Sequence, residues 1–279
     1  MRNRRLLWHR AGAALLLGLA ASVLRAAEPA VQPLERAHAH NDYEHPRPLL
    51  DALAQGFCSV EADIHLVDGR LLVAHDRWRV KPERTLEALY LEPLRARVEA
   101  NGGRAFPNGP TFWLLIDFKS DGAATWQALK PVLERHRAIL SVFGPDRTET
   151  NAVTAVLSGN VPRALLAAEV ERLAAVDGRP GDLETNPSPH LVPWVSESWN
   201  RLFTWRGQDV PPATDLATLR DLVGRAHAQG RRVRFWGAPD FEALWRVQHA
   251  AGVDLINTDK LEELARFLRQ AGTETAGGP

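Results

Sequence analysis

Hydrophobic runs alternate with amphipathic segments along most of the chain. The run at 111–118 is apolar almost throughout, which is typical of a strand buried on both faces of a sheet. The segment 215–229 instead places its apolar residues at helical spacing and is followed by a glycine, Gly230, as helices often are. Alternation of strands and helices over a whole domain predicts a parallel sheet covered by helices.

The pattern contains enough strands to close a barrel. The predicted barrel strands are 36–40, 58–66, 111–118, 152–157, 163–168, 191–196, 232–236 and 253–257. The predicted helices are 48–55, 85–99, 123–136, 215–229, 241–251 and 261–271. A turn signal at Asp68-Gly69 folds segment 71–74 back as a β-hairpin after the second strand, and 138–150 is treated as an insertion. We therefore predict an α/β fold, a single (β/α)₈ TIM barrel over residues 34–270.

Both ends of the chain differ from this domain. Residues 1–27 combine arginines at 2, 4, 5 and 10, an apolar run at 11–24 and small residues at 26 and 27, which is the pattern of a signal peptide. The apolar run is shorter than the ~20 residues of a membrane-spanning helix, so we expect export to the periplasm or beyond, with an uncleaved anchor as the alternative. Residues 271–279 are small and polar and predict a flexible tail.

Charge and cysteine content narrow the range of partners. The 279 residues carry 34 basic and 34 acidic side chains, so no basic excess is present to hold a nucleic acid. The single cysteine, Cys58, excludes an intrachain disulfide and is expected to be a core thiol. The sequence shows no basic amphipathic helix of the kind that attaches a protein stably to a membrane. Transient contact with a membrane surface is compatible with the sequence. No protein partner is predicted.

Carboxylates lie toward the carboxyl ends of two predicted strands, which is where a barrel carries its active residues. Glu61 and Asp63 are two residues apart, so their side chains lie on one face of the second strand, and Asp117 ends the next barrel strand. Carboxylates brought together repel each other, and one divalent cation, Mg²⁺ or Ca²⁺, would relieve that cost. Lys119 shares a face with Asp117 and can hold a phosphate oxygen beside the ion. The alternative is that these carboxylates only pair with Lys119 or an arginine.

Two histidines are candidates for proton transfer. His40 ends the first strand and His75 follows the hairpin, and imidazoles near neutral pKa suit both the base and the acid of phosphodiester cleavage. His38 shares a face with His40. Three roles fit it from the sequence: a metal ligand, a residue that holds a metal ligand in place, or a residue that only packs in the core. His45 and His65 are expected to be surface or core residues.

Three segments together resemble a known superfamily. They are residues 37–43 (Ala-His-Ala-His-Asn-Asp-Tyr), 60–63 (Val-Glu-Ala-Asp) and 72–76 (Leu-Val-Ala-His-Asp). They resemble the glycerophosphodiester phosphodiesterases, which are phospholipase-C-like phosphodiesterases with a barrel fold. The His-Asn-Asp-Tyr motif is similar to that of the altered-inheritance-of-mitochondria-six-like branch. The later segments 117–119 and 253–259 also fit the superfamily.

The resemblance implies a chemistry for these residues. It implies that His40 and His75 are the catalytic pair and that the Glu-x-Asp pair and Asp117 bind the metal ion. It further implies a phosphoric diester hydrolase in which a neighbouring substrate hydroxyl attacks and a cyclic phosphate forms. The expected substrate is a small glycerophosphodiester or a lipid headgroup.

The sequence departs from the superfamily pattern beside the first histidine. Glycerophosphodiesterases usually carry Arg there, where it helps to hold phosphate, whereas this chain has Asn41 as the candidate substrate-binding residue. A glycerol headgroup is therefore in doubt. Trp236, at the end of the seventh predicted strand, is a candidate to line the substrate pocket or to pack in the barrel. Trp199, Asn200 and Trp205 are further candidates to frame a headgroup.

Two other functions fit part of the sequence. The pair His38-x-His40 on a first strand is also how barrel amidohydrolases begin, and it suits a transition metal. That function needs histidines at the ends of strands five and six, and only His190, before the sixth, is near. A non-catalytic exported barrel that binds a headgroup is the second alternative, because the usual Arg is replaced by Asn41.

Overall fold

The computed structural model describes residues 31–276. The predicted signal peptide at 1–27 and the last three residues, 277–279, lie outside the described residues. Within 31–276 no helix is both long and apolar enough to cross a membrane.

The sheet is a closed barrel of eight parallel strands, because the first strand pairs with both the second and the last. This confirms the predicted (β/α)₈ fold. The strands in chain order are β1 Leu34–Ala39, β2 Phe57–Val67, β3 Arg70–Val73, β4 Phe112–Phe118, β5 Val142–Phe143, β6 Thr148–Glu149, β7 Val153–Gly159, β8 Ala174–Gly178, β9 Trp194–Ser198, β10 Arg232–Trp236 and β11 Leu255–Thr258. Three of these lie outside the barrel: β3 pairs antiparallel with β2 as the predicted hairpin, and β5 and β6 form a second hairpin within the insertion.

Helices cover the outside of the barrel. They are α1 Leu50–Ala54, α2 Glu92–Ala100, α3 Gly122–Arg135, α4 Arg163–Ala167, α5 Asp182–Thr185, α6 Trp199–Leu202, α7 Ala213–Ala228, α8 Glu242–Ala251 and α9 Leu261–Ala276. A π-helical turn, Glu87–Leu91, leads into α2. Helix α9 continues to Ala276, five residues beyond its predicted end, so the predicted tail at 271–279 is helical for most of its length.

The prediction of the fifth barrel strand was wrong. Residues 163–168 form helix α4, and the fifth strand is β8, which the sequence analysis did not assign. The segment 163–168 follows Pro162 and is built of Ala and Leu, which are among the strongest helix formers. Strand β8 instead buries all five of its residues, as a barrel strand does.

The barrel interior is apolar at one end and polar at the other. Side chains of successive strands meet in an apolar layer that includes Leu115, Val156 and Trp194, and Phe143 of the insertion packs against it. Trp113 stacks on Trp194 with ring centroids 5.6 Å apart. Two residues further along each strand, the inward side chains are charged or polar, and these form the mouth at the carboxyl ends.

Asp42 of the His-Asn-Asp-Tyr motif supports the loop after β1. Its side chain is buried, and Oδ2 accepts hydrogen bonds from the Leu49 amide at 2.5 Å and the Tyr90 hydroxyl at 2.9 Å. Burial raises the pKa of Asp42 to about 7. The preceding residue, Asn41, has a φ of 49°, a left-handed conformation that Asn tolerates better than most residues.

The raised pKa of Asp42 predicts a specific loss of stability with pH. Because the folded-state pKa lies above the ordinary value of 3.8, the stabilising contribution is complete below pH 4 and is lost as pH rises through 7. In Asp42→Asn, whose amide oxygen can accept both hydrogen bonds, this loss should be absent. We expect the wild-type free energy of unfolding to fall by about 4 kcal/mol relative to the variant between pH 4 and pH 8. Denaturant unfolding of both proteins at several pH values measures the difference, and parallel pH profiles would contradict it.

Candidate active site

Three carboxylates converge in the mouth of the barrel. Glu61 and Asp63 come from β2 and Asp117 from β4, and each offers an oxygen within 4.8 Å of the others. The register pairs Asp63 directly with Asp117, so both side chains point to the same side of the sheet. Gly159 of β7 leaves room for this arrangement, because a Cβ there would lie 2.5 Å from Asp117 Oδ1. The cluster predicted from the sequence is therefore brought together by the fold.

Two cations offset the charge of the cluster. Arg234, on β10 across the barrel, is almost fully buried and donates to Glu61 Oε2 at 2.9 Å. Lys119 Nζ lies 3.0 Å from Asp63 Oδ2 and 2.9 Å from Asp117 Oδ1. The ion pairs that the sequence analysis held as an alternative are thus present within the cluster itself.

The two carboxylates of β2 respond to this field in opposite directions. Burial, followed by the charge of Glu61, raises the pKa of Asp63 to about 6. Burial would also raise the pKa of Glu61, but Arg234 and the histidines of β1 outweigh it and hold that pKa well below its usual range. Burial lowers the pKa of Lys119, but Asp117 and Asp63 outweigh it, so that pKa is raised and the ammonium stays charged.

The cluster fits a divalent cation. Its donors are carboxylate oxygens, which hard cations prefer. Asp63 Oδ1 is buried and has no hydrogen-bond partner within residues 31–276, which leaves one oxygen directed at no protein donor. Glu61, Asp63 and Asp117 are the residues that would hold the ion.

His40 is held by the last strand of the barrel. Its Nδ1 lies 2.9 Å from Oδ1 of Asp259 and 3.0 Å from Nδ2 of Asn41, and its Nε2 lies 3.8 Å from Glu61 Oε2. A carboxylate only accepts, so Nδ1–H donates to Asp259 and Nε2 is left for the substrate. Burial lowers the pKa of His40, but the hydrogen bond to Asp259 and the charge of Glu61 outweigh it, so the pKa is raised.

His75 is held in a similar way. Its Nδ1 lies 3.1 Å from Asp63 Oδ2 and 3.3 Å from the Tyr43 hydroxyl. That hydroxyl also lies 2.7 Å from both Asp63 Oδ2 and Asn41 Oδ1. It therefore connects the residue beside His40 to the carboxylate that holds His75. More than half of the His75 side chain is exposed, which leaves the ring open to the mouth.

The remaining predicted residues divide between the site and the core. His38 is fully buried, with Nδ1 2.7 Å from Ser59 Oγ and Nε2 3.8 Å from Glu61 Oε2, so it lies behind the carboxylate rather than in the mouth. Trp236 is 38% exposed at the end of β10, where it borders the mouth. Trp199 and Trp205 are buried in an apolar cluster with Phe203, Phe235 and residues of α7.

The histidines that an amidohydrolase would need do not reach the mouth. Strands β8 and β9 end in Asp-Gly and Ser-Glu-Ser, and His190 lies before β9, with Nδ1 3.0 Å from Thr148 Oγ1.

The sequence analysis did not predict the contacts that four residues make in the mouth. These residues are Tyr43, Arg179, Arg234 and Asp259. Arg234 had one visible signal, a charged residue flanked by Val233 and Phe235 inside a strand. Arg179 follows the strand that was not assigned. The pairing of Asp259 with His40 depends on barrel closure and has no local signal.

Comparisons with known proteins identify the family of this chain. The AIM6-like phosphodiesterase domain matches residues 26–176, and the glycerophosphoryl diester phosphodiesterase family matches residues 232–262. Altered inheritance of mitochondria protein 6 of Eremothecium gossypii is 33% identical over 281 residues, which cover 85% of this chain and 70% of that protein. Its homolog from Arthroderma benhamiae is 28% identical and covers 80% of each chain.

A solved structure shares the fold. A glycerophosphodiester phosphodiesterase from Parabacteroides distasonis aligns with a TM-score of 0.51 at 13% identity, over 86% of this chain and 99% of that one. The match of the domain family to more than half of the chain and the relative at 33% identity lead to one conclusion: this chain belongs to the AIM6-like phosphodiesterase domain family.

Proposed function

We propose that this protein is a metal-dependent phosphoric diester hydrolase that acts on a glycerophosphodiester or phospholipid-type substrate. The observation that carries the proposal is the pair of histidines beside the carboxylate cluster. Nδ1 of each imidazole is held by a carboxylate, Asp259 for His40 and Asp63 for His75. A histidine fixed in this way presents Nε2 for proton transfer. The family match supports the reaction class.

The proposed reaction uses the two histidines in turn. One imidazole takes the proton of a substrate hydroxyl that neighbours the phosphate, and the other gives a proton to the departing oxygen. The roles reverse when water opens the resulting cyclic phosphate. Lys119 lies beside the reacting groups and can bind a phosphoryl oxygen.

The cofactor in this proposal is one Mg²⁺ or Ca²⁺ held by Glu61, Asp63 and Asp117. When bound, the ion would polarise a non-bridging phosphoryl oxygen. We further propose that the enzyme acts after export on small diesters or lipid headgroups, as the sequence of residues 1–27 favours.

Removal of either histidine should abolish most of the activity. We expect His40→Ala and His75→Ala each to lower kcat by roughly 100-fold or more on glycerophosphocholine, which carries the hydroxyl beside the phosphate that the proposed attack requires, assayed with Mg²⁺ and with Ca²⁺. The control is His227→Ala, because His227 also pairs with a carboxylate, Asp254, but the pair lies before β11, away from the mouth. Equal rates in all four proteins would contradict the two-histidine assignment. Substrate binding without turnover in the wild type would instead indicate a headgroup-binding barrel.

The metal site can be tested without turnover. Saturating Mg²⁺ or Ca²⁺ should raise the melting temperature of the wild-type protein by several degrees, since a ligand at 100 times its Kd stabilises by about 2.7 kcal/mol. Asp117→Asn should lose most of this shift because it removes one ligand of three. The exposed Asp221→Asn serves as the control. An unchanged shift in Asp117→Asn would place the ion elsewhere.

A further inference from the structure

A third cation, Arg179, stands in the mouth at the ends of β8 and β9. It follows β8, and its Nη1 contacts Asp177 Oδ2 at 2.8 Å, the Gly178 carbonyl at 2.8 Å and Ser196 Oγ at 3.1 Å. The Asp177 side chain is fully buried and also accepts hydrogen bonds from Ser158 and Ser196. A solvated surface arginine needs no such support, so the position of this guanidinium is built into the fold.

The backbone of Arg179 is fixed as firmly as its side chain. Its amide donates to Asp182 Oδ2 at 2.7 Å. Asp182 is in turn held by both terminal nitrogens of Arg163, at 3.0 Å and 2.7 Å. Planar two-point pairs of this kind fix orientation as well as position.

One edge of the guanidinium stays free. All hydrogen bonds of the Arg179 side chain to residues 31–276 come from Nη1, so Nε and Nη2 have no protein acceptor in this range. The side chain is 40% exposed. In the closed barrel β8 lies opposite β1, which precedes His40. Burial lowers the pKa of Arg179, but Asp177 and, more weakly, Glu197 and Asp117 outweigh it, so that pKa is raised and the guanidinium stays charged.

The other wall of the mouth lacks an arginine for phosphate. Asn41 occupies the position after His40; its Oδ1 accepts from the Tyr43 hydroxyl, and its Nδ2 lies 3.5 Å from Asp259 Oδ1. Lys119, the phosphate contact of the proposed function, shares its ammonium with Asp63 and Asp117. The free edge of Arg179 therefore adds a guanidinium donor to the mouth that makes no hydrogen bond within residues 31–276.

We propose that Arg179 binds a non-bridging oxygen of the scissile phosphodiester from the wall opposite His40. This inference rests on the proposed function. In this arrangement the residue after β8 contacts the phosphate, and the rest of the substrate occupies the space beside Asn41.

The test compares Arg179→Ala and Arg179→Lys with Arg225→Ala as the matched control. Arg225 has the same exposed fraction, 40%, and also pairs with a carboxylate, Glu184, but it lies near the end of α7, which leads to the start of β10 and so to the end of the barrel remote from the mouth. We expect Arg179→Ala to lower kcat/KM by roughly 10- to 100-fold, because a charge-assisted contact to phosphate is lost. Arg179→Lys should lose less, and millimolar guanidinium should restore part of the rate of Arg179→Ala. Melting curves verify that each variant is folded.

The choice of substrate separates the outcomes. The loss should have the same size for glycerophosphocholine, whose one negative charge is the scissile phosphate, and for glycerophosphoserine, which carries a second anion. A loss confined to glycerophosphoserine would overturn the inference, since Arg179 would then read a group other than the scissile phosphate. Unchanged kinetics in Arg179→Ala would overturn it while the proposed function stands. An inactive wild-type protein would defeat the proposed function itself, and this inference with it.

Discussion

Repulsion among three carboxylates is the constraint around which the mouth is built. Charges this close interact strongly where water is scarce, and burying them without partners would destabilise the fold. Arg234 reaches across the barrel to Glu61, and Lys119 bridges the other two carboxylates. The three carboxylates therefore have cationic partners but still outnumber them. A site with this charge balance can hold a divalent ion and an anionic diester together.

The barrel separates stability from chemistry along its axis. The apolar layer around Trp194, supported by Phe143 of the insertion, fills the interior below the site. The charged and polar side chains of the candidate site stand one layer higher, at strand ends, where a change of side chain costs little packing. The loop after β1 combines both demands, since Asp42 is buried as a structural acceptor while His40 and Asn41 face the mouth.

Local sequence was sufficient for the parts of the site that lie close together along the chain. The two-residue spacing of Glu61 and Asp63 follows directly from strand geometry, and the resemblance identified His40 and His75. Arg234 and Asp259 could not be placed, because their partners lie 173 and 219 residues away and meet them only when the barrel closes. The fifth strand was misassigned because residues 163–168, which favour a helix by intrinsic propensity, were taken for a strand.

The site depends on both ends of the domain. Every predicted catalytic and metal-binding group lies between His40 and Lys119, yet β10 contributes the partner of Glu61 and Asp259 follows β11. A chain that stops before residue 232 would contain every predicted catalytic and metal-binding residue but would leave Glu61 without Arg234 and His40 without Asp259. The proposed site is therefore complete only when residues 232–259 are in place, so a fragment that retains the predicted residues is a poor guide to activity.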